Sequence, residues 1–286
     1  MRHDVLGGGG IGGLVAGALA RSGEEVRLLL RRESVAPYHG SLRVESVVLG
    51  DFTVDVPAAS CLGGAVDVLW VATKATQLEQ ALALAPSEAV GEAVVVPLLN
   101  GVDHVETLRL RYPEVVAAAI RVESERLPDG SIRQKSPFLR VDMAGAENVQ
   151  AVLRGAGFDC RSRRDEATVL WEKLVFLAPI ALATAAFNAP LGGVRRDPAF
   201  VGCRDEAAAA AAVAGAELDI DEVRDLHEGA PDEMRSSMQK DVEARREPEL
   251  VAIAGPIQRV GAVHGFPTPS TDSLVARITD RVRSAT

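Results

Sequence analysis

The sequence predicts an α/β protein in which a doubly wound parallel sheet is followed by an all-helical domain. In the first half, short apolar runs at residues 5–6, 26–30, 66–72 and 93–99 alternate with helical patterns such as residues 11–20. That rhythm is typical of βαβ units. From about Glu166 onward the strand patterns stop and long Ala/Leu-rich helical patterns follow. We therefore expect one domain over residues 1–165 and a helical domain over residues 166–286.

Composition narrows the class of protein. The 286 residues include 47% hydrophobic ones, enough to bury two cores. A formal net charge of −9 without clustered Lys/Arg argues against a nucleic-acid partner and against an anionic membrane surface. The three cysteines, Cys61, Cys160 and Cys203, stand far apart, so we expect neither a disulfide framework nor a metal site.

The N-terminal segment lacks the apolar region and cleavage site of a signal peptide. The longest apolar stretch, residues 174–187, has the length of a buried core helix rather than of a membrane span. We therefore expect a cytoplasmic enzyme.

Two segments interrupt the βαβ rhythm with hairpin patterns. Residues 42–56 alternate charged and apolar side chains around Gly50-Asp51. Residues 117–143 form a second such segment that turns at Pro128-Asp129-Gly130. We expect two hairpins beside the main sheet.

A glycine-rich loop follows the first strand and precedes an apolar helix, the context that a dinucleotide-binding motif requires. Its sequence is Gly7-Gly8-Gly9-Gly10-Ile11-Gly12-Gly13. Gly7 would form the tight turn, Gly9 would let the backbone approach a pyrophosphate, and Gly12 would let helix and strand pack closely. We expect cofactor contacts from these three glycines and from Gly10 and Ile11. A frame shifted by one, Gly8/Gly10/Gly13, also fits. The first domain is thus predicted to be Rossmann-like.

The end of the second strand indicates which dinucleotide binds. An acid at this place binds the ribose 2′-hydroxyl of NAD, whereas an arginine accepts the 2′-phosphate of NADP. The strand ends here in Arg31-Arg32, which favours NADP(H). Glu33 remains a candidate for a contact with NAD.

The chain as a whole resembles the ketopantoate reductase (2-dehydropantoate 2-reductase) family. The resemblance rests on several short motifs that occur in the family's order and spacing over nearly the full chain. They are the glycine loop, Val71-Ala72-Thr73-Lys74, Leu98-Leu99-Asn100-Gly101, Trp171-x-Lys173-Leu174, Ser236-Ser237-Met238-Gln239-x-Asp241 and Glu249.

The resemblance implies a role for five side chains. Lys173 matches the general acid that protonates the substrate carbonyl oxygen, and Glu249 matches the acid that holds this lysine. Ser237 matches the hydroxyl that binds the substrate carboxylate, while Asn100 and Lys74 match residues near the nicotinamide and substrate. The chemistry agrees, because an ammonium stabilises and neutralises the charge that builds on a ketone oxygen during hydride transfer.

The chain departs from the family where the substrate would bind. Four positions that hold asparagines in the family are apolar here: Leu177 and Ala181, one and two turns beyond Lys173, then Leu191 and Met234. A site without those amides cannot be assumed to select the same molecule. We expect NADPH-dependent reduction of a small-molecule 2-oxo acid, either ketopantoate or one with a more apolar tail.

Three questions stay open at this point. The missing asparagines are also compatible with a catalytically silent NADPH-binding sensor or scaffold. A 3-hydroxyacid or imine-reducing dehydrogenase would share the two-domain plan. The long apolar helices could form a homodimer interface as readily as a core.

Overall fold

A computed structural model describes residues 1–284 and divides the chain into two compact units. The first unit comprises Met1–Leu99 and His104–Glu166, and the second comprises Asn100–Asp103 and the chain from Ala167 onward. The main division lies next to the expected boundary. The segment Asn100–Asp103, however, lies within the predicted first domain and packs with the helical unit instead. The functional assignment of the two domains remains a prediction.

The strands belong to the first unit, as the composition shift at Glu166 predicts. In chain order they are β1 (Arg2–Leu6), β2 (Glu25–Leu29), β3 (Ser41–Ser46), β4 (Phe52–Asp55), β5 (Ala58–Ala59), β6 (Val68–Val71), β7 (Val94–Pro97), β8 (Ala118–Arg121), β9 (Ser124–Arg126), β10 (Ile132–Gln134), β11 (Arg140–Met143) and β12 (Asp159–Ser162).

The main sheet is parallel, with strand order β5-β2-β1-β6-β7. Its central strands are almost continuously buried, and all four residues of β6 are inaccessible, as expected for strands covered on both faces. The order reverses beside β1, which is the switch point of a doubly wound sheet. The predicted α/β class with a Rossmann-like first domain is confirmed.

The helices of the first unit connect or cover these strands. They are α1 (Gly10–Arg21), α2 (Arg32–Val35), α3 (Leu78–Leu82), α4 (Ser87–Val90), α5 (His104–Arg109) and α6 (Glu147–Gly155), with a 3-10 turn at Ala75–Gln77.

Both predicted hairpins exist, but the second one is divided between two sheets. β3 and β4 pair antiparallel, as do β9 and β10 on either side of the predicted turn. β8 and β11 instead join β12 in a separate sheet. Pro137, between β10 and β11, has no N–H to continue a ladder, and Ser136 Oγ accepts from Glu123 N at 3.0 Å where the sheets part.

The two hairpins also pair with each other, which the sequence patterns did not predict. β10 lies parallel to β3, so the four strands form one sheet of order β4-β3-β10-β9. This sheet packs on α1. A Cβ atom at Gly13 would overlap the side chain of Ile132 on β10, and one at Gly17 would lie 2.9 Å from Val44 on β3. Some glycines of the N-terminal motif are therefore required by packing against this sheet.

The second unit contains helices throughout its described part. They are α7 (Glu166–Phe187), α8 (Leu191–Val194), α9 (Pro198–Val213), α10 (Ile220–Gly229), α11 (Ser237–Glu243), α12 (Leu250–Ile253), α13 (Gly255–His264) and α14 (Pro269–Ser284).

Helix α7 forms the centre of the second core. Among residues 1–284 it is the helix with the length and apolar composition of a membrane span, yet 72% of its apolar window is buried inside the protein. It begins at Glu166, so Lys173 lies in its third turn. The expectation of a buried core helix at residues 174–187 is confirmed.

Candidate active site

The glycine loop shows a separate steric reason for each glycine of the first frame. Gly7 has φ +105°, and a Cβ there would lie 2.9 Å from the carbonyl oxygen of Ala72. A Cβ at Gly12 would overlap the carbonyl oxygen of Gly7. Gly9 is exposed, and a Cβ there would meet nothing within 4 Å. Gly7 thus forms the tight turn, Gly12 allows the close packing, and Gly9 leaves the backbone open to a ligand.

The alternative frame, Gly8/Gly10/Gly13, fits less well, because a side chain at each of its glycines would clash with another part of the protein. A Cβ at Gly8 would lie 2.8 Å from Leu30, and one at Gly10 would overlap the backbone of Ser124. Gly13 faces Ile132 of the hairpin sheet. These positions therefore leave no open backbone for a ligand.

The N-terminus of α1 fits a pyrophosphate. Gly9 occupies the N-cap position, and no side chain caps the helix. The first N–H groups, including those of Gly10 and Ile11, lack intrahelical acceptors, and the helix dipole favours an anion there. The open space at Gly9 allows the close approach that a dinucleotide needs. The residues present thus fit a dinucleotide.

The residues that would select the ribose lie together after β2. Arg31 and Arg32 are exposed at the start of α2. Arg31 Nε lies 3.4 Å from the carboxylate of Glu33, the alternative candidate.

Lys74 is half-buried just beyond the carboxyl end of β6, the edge at which ligands of parallel sheets bind.

Asn100 and Glu249 are hydrogen-bonded within the second unit. Asn100 Nδ2 donates to Glu249 Oε2 at 3.2 Å, although 149 residues separate them. The next residue, Gly101, has φ +87°, and a Cβ there would overlap the carbonyl oxygen of Ala252 on α12. The close backbone approach fixes Asn100 beside Glu249, which is buried at 8% exposure.

Lys173 lies half-buried on α7, between the buried side chains of Trp171 and Leu174. Its ammonium is the group that can donate a proton. Its assignment as general acid stays a prediction, as do the other ligand contacts named from the sequence.

The two serines of the Ser236-Ser237 motif have different environments. Ser236 is buried and caps α11, accepting from Gln239 N at 3.0 Å. It also hydrogen-bonds Thr184 Oγ1 of α7 at 2.7 Å. Ser237 is the first residue of α11 and is exposed. Of the pair, Ser237 is the exposed one, and its contact with the substrate carboxylate stays a prediction.

The four apolar replacements divide into two pairs. Leu177 and Met234 are half-buried, whereas Ala181 and Leu191 are 1% and 0% exposed. Leu191 N donates to Met234 O at 2.9 Å, and Ser236 Oγ lies 3.5 Å from Ala181 O. Ala181 therefore offers no surface to a substrate in this structure and supports the neighbouring residues from within the core.

Two residues that lie next to the glycine loop were not predicted from the sequence. Ser124 Oγ donates to Gly10 O at 2.9 Å, and Arg126 Nη1 donates to Gly8 O at 3.1 Å. Both lie on β9, whose hairpin was predicted but whose packing partner was not. No local pattern in the sequence could have identified this contact.

The cysteines have no partner sulfur within residues 1–284, and no cluster of three metal-ligating residues occurs there. Burial raises the pKa of Cys160 to about 11 and that of Cys203 to about 12. Both are therefore thiols, not nucleophilic thiolates, near neutral pH.

The doubly wound parallel sheet and the open glycine loop define the class as a dinucleotide-binding protein. Comparison with known families then identifies the chain as a member of the ketopantoate reductase PanE/ApbA family. The model of that family matches residues 4–173, and its C-terminal model matches residues 166–281.

Similar proteins support the same assignment. A 2-dehydropantoate 2-reductase of Mycobacterium tuberculosis is 34% identical over 75% of this chain and 76% of its own length. A PanE/ApbA family ketopantoate reductase from Ralstonia eutropha superposes with a TM-score of 0.88, at 27% identity over 99% of both chains. D-mandelate dehydrogenase, solved with NADH and anilino(oxo)acetate, shares the fold with a TM-score of 0.89, at 21% identity over 99% of both chains.

The chain is thus a 2-dehydropantoate 2-reductase-like oxidoreductase that acts on a CH–OH group. A catalytically silent sensor or scaffold is not favoured.

Proposed function

We propose that this enzyme reduces a 2-oxo acid with an apolar side chain to the 2-hydroxy acid, using NADPH. The observation that carries the proposal is the apolar side chains of Leu177 and Met234, which retain accessible surface at two of the four positions where the family resemblance implies amides. A polar substrate tail would lose its hydrogen bonds to water without gaining new ones there, whereas an alkyl or aryl tail would gain burial.

The chemistry follows from the groups that the chain retains. Bound NADPH supplies a hydride to the carbonyl carbon. The carbonyl oxygen then takes a proton from the Lys173 ammonium, and solvent restores that proton. Ser237 holds the substrate carboxylate. Glu249 holds Lys173 and accepts a hydrogen bond from Asn100.

The preference for NADPH over NADH is supported by Arg31 and Arg32, whose guanidinium groups complement a 2′-phosphate. Glu33 close to Arg31 would favour NADH, the cofactor found with D-mandelate dehydrogenase. We also propose a homodimer, since a ketopantoate reductase of Staphylococcus aureus is dimeric. A cytoplasmic location is part of the same proposal.

Ketopantoate is the second candidate substrate. It is favoured by the similarity to the Mycobacterium tuberculosis enzyme, which is named for that reaction. A role in pantothenate biosynthesis would follow from this substrate.

Initial rates of NADPH oxidation decide between the two. The panel is ketopantoate, pyruvate, 2-oxoisovalerate, 4-methyl-2-oxopentanoate and benzoylformate. We expect kcat/KM to be highest for a branched or aromatic acid, by about tenfold over ketopantoate, the size of effect that one or two methylene-sized contacts produce. A preference for ketopantoate over every apolar acid would refute the apolar assignment.

Leu177→Asn tests the same point within the chain. We expect it to shift kcat/KM toward ketopantoate and away from the apolar acids, because it restores an amide one turn beyond Lys173. Leu226→Asn, an exposed position on α10, is the matched control and should leave the ratio unchanged.

A further inference from the structure

Arg126 is held against the glycine loop although it lies 118 residues further along the chain. Its Nη1 donates to Gly8 O at 3.1 Å, and Ser124, two residues earlier, donates to Gly10 O at 2.9 Å. β9 is therefore fixed to the loop at two points. The Arg126 guanidinium therefore lies beside the glycine loop, whose backbone is predicted to bind the cofactor.

The same glycine also lies against Leu30, the residue that follows β2. A Cβ at Gly8 would lie 2.8 Å from Leu30, the residue that precedes Arg31. Arg126 is also close enough to Tyr38 that its charge opposes the rise in the pKa of Tyr38, which burial takes to about 12. Tyr38 follows α2, the helix that begins with Arg32. Arg126 thus lies near the segment after β2 that is predicted to bind the adenosine ribose of the cofactor.

The charge of Arg126 is available to an anion. The neighbouring cations of the hairpin are neutralised, since Arg133 pairs with Glu45 at 2.8 Å and Lys135 pairs with Glu125. Over residues 1–284, no carboxylate forms an ion pair with Arg126. Its one hydrogen bond to a neutral carbonyl uses only part of the five N–H donors of a guanidinium, and the side chain is exposed.

We propose that Arg126 binds the 2′-phosphate of NADPH and determines the preference for NADPH over NADH, together with Arg31. The inference rests on the proposed use of NADPH and adds a residue that the rule for the end of the second strand does not include. A guanidinium suits this role because its planar fork matches phosphate oxygens. The hydrogen bond to Gly8 O preorganises it, so that little side-chain freedom is lost when the cofactor binds.

Equilibrium binding tests the inference without requiring turnover. Dissociation constants for NADPH, NADH and 2′,5′-ADP are measured for the wild type, Arg126→Gln and Arg126→Lys. Arg133→Gln is the matched control, because it removes the same charge from the adjacent strand of the same hairpin. We expect Arg126→Gln to weaken NADPH and 2′,5′-ADP by about tenfold or more, the effect of one charged hydrogen bond, and to leave NADH nearly unchanged.

Arg126→Lys should recover part of the lost affinity, and the affinity for 2′,5′-ADP should fall with salt less steeply in Arg126→Gln than in the wild type. Equal weakening of NADPH and NADH would mean that Arg126 only supports the loop, which overturns the inference. An unchanged ratio in Arg126→Gln, with a wild type that prefers NADPH, overturns the inference but leaves the NADPH proposal standing. A wild type without preference overturns both.

Discussion

The two units present their candidate site residues by opposite means. In the first unit the candidate cofactor site is built from backbone, and Gly7, Gly9 and Gly12 serve it through the absence of a side chain. In the second unit the candidate groups are side chains on helices, namely Lys173, Glu249 and Ser237. A backbone site tolerates few substitutions, whereas a side-chain site can change its substrate through single replacements without a change of fold. The difference agrees with a chain that has the glycine motif together with apolar residues at four positions where the family resemblance implies amides.

The largest effect is expected from the side chain that carries the chemistry. Lys173→Ala should lower kcat by about a thousandfold, within the range for loss of a general acid, and leave the dissociation constant for NADPH unchanged. Single-turnover rates and NADPH fluorescence titration measure the two quantities. Lys135→Ala, in the first unit, is the control. A variant that keeps most of its activity would remove Lys173 from the proton-donor role.

Two alanine substitutions in one loop test the backbone site. Gly12→Ala places a methyl group against the carbonyl oxygen of Gly7, so we expect a loss of about 3 kcal/mol in unfolding free energy. Gly9→Ala meets no protein atom within 4 Å, so it should fold like the wild type but bind NADPH more weakly, because the methyl group occupies cofactor space. Urea unfolding and NADPH titration distinguish the two. Equal stability of both variants would contradict the assigned frame.

A buried histidine makes the second unit sensitive to acid. His227 stacks on Phe176 with ring centroids 5.0 Å apart, and its Nε2 lies 2.8 Å from the carbonyl oxygen of Phe176. Burial lowers the pKa of His227, so the folded state favours the neutral ring. The unfolded chain takes up this proton below about pH 6.5, and stability therefore falls as the pH drops below that value.

We expect His227→Phe to be less stable than the wild type by about 1 kcal/mol at pH 7.5, through the lost hydrogen bond, and to lose less stability between pH 7 and pH 5. The fluorescence of Trp171 in a Trp70→Phe background reports on the second unit. His264→Gln, at an exposed site, is the control and should keep the acid dependence of the wild type. The same acid dependence in His227→Phe would assign the effect elsewhere.

The smallest effect is expected at a surface ion pair of the second unit. Arg259 pairs with Asp103, and their side chains are 52% and 48% exposed. Arg259→Gln should change the unfolding free energy by less than about 1 kcal/mol, as is usual for exposed pairs. Gly101→Ala should cost more, because the close contact with Ala252 and the positive φ are backbone constraints. Thermal melts in low and high salt compare the two.

Features that depend on short stretches of chain could be predicted from the sequence. The parallel strands follow from apolar runs, and the choice of Gly7, Gly9 and Gly12 follows from the strand that precedes them. The end of strand structure near Glu166 follows from the change in periodicity. Local propensity and spacing determine all of these.

Features that depend on distant pairing could not be predicted. The alternation of residues in β3 and β10 shows that each forms a strand, but not that Ile132 pairs with Val44. Arg126 lies on β9, which pairs with β10, so its contact with Gly8 is another long-range contact that the sequence did not predict. The resemblance supplied the roles of Lys173 and Glu249, because a lone lysine on an apolar helix has no distinctive spacing.

The placement of Asn100–Asp103 in the second unit affects how this enzyme can be recombined with its relatives. These four residues lie in the middle of the predicted first domain, but Asn100, Gly101 and Asp103 contact Glu249, Ala252 and Arg259. A chimera joined once, at residue 165, would combine this tetrapeptide with foreign partners. A functional exchange of the helical part therefore requires a second graft, in which the tetrapeptide is transferred with the helices that it contacts.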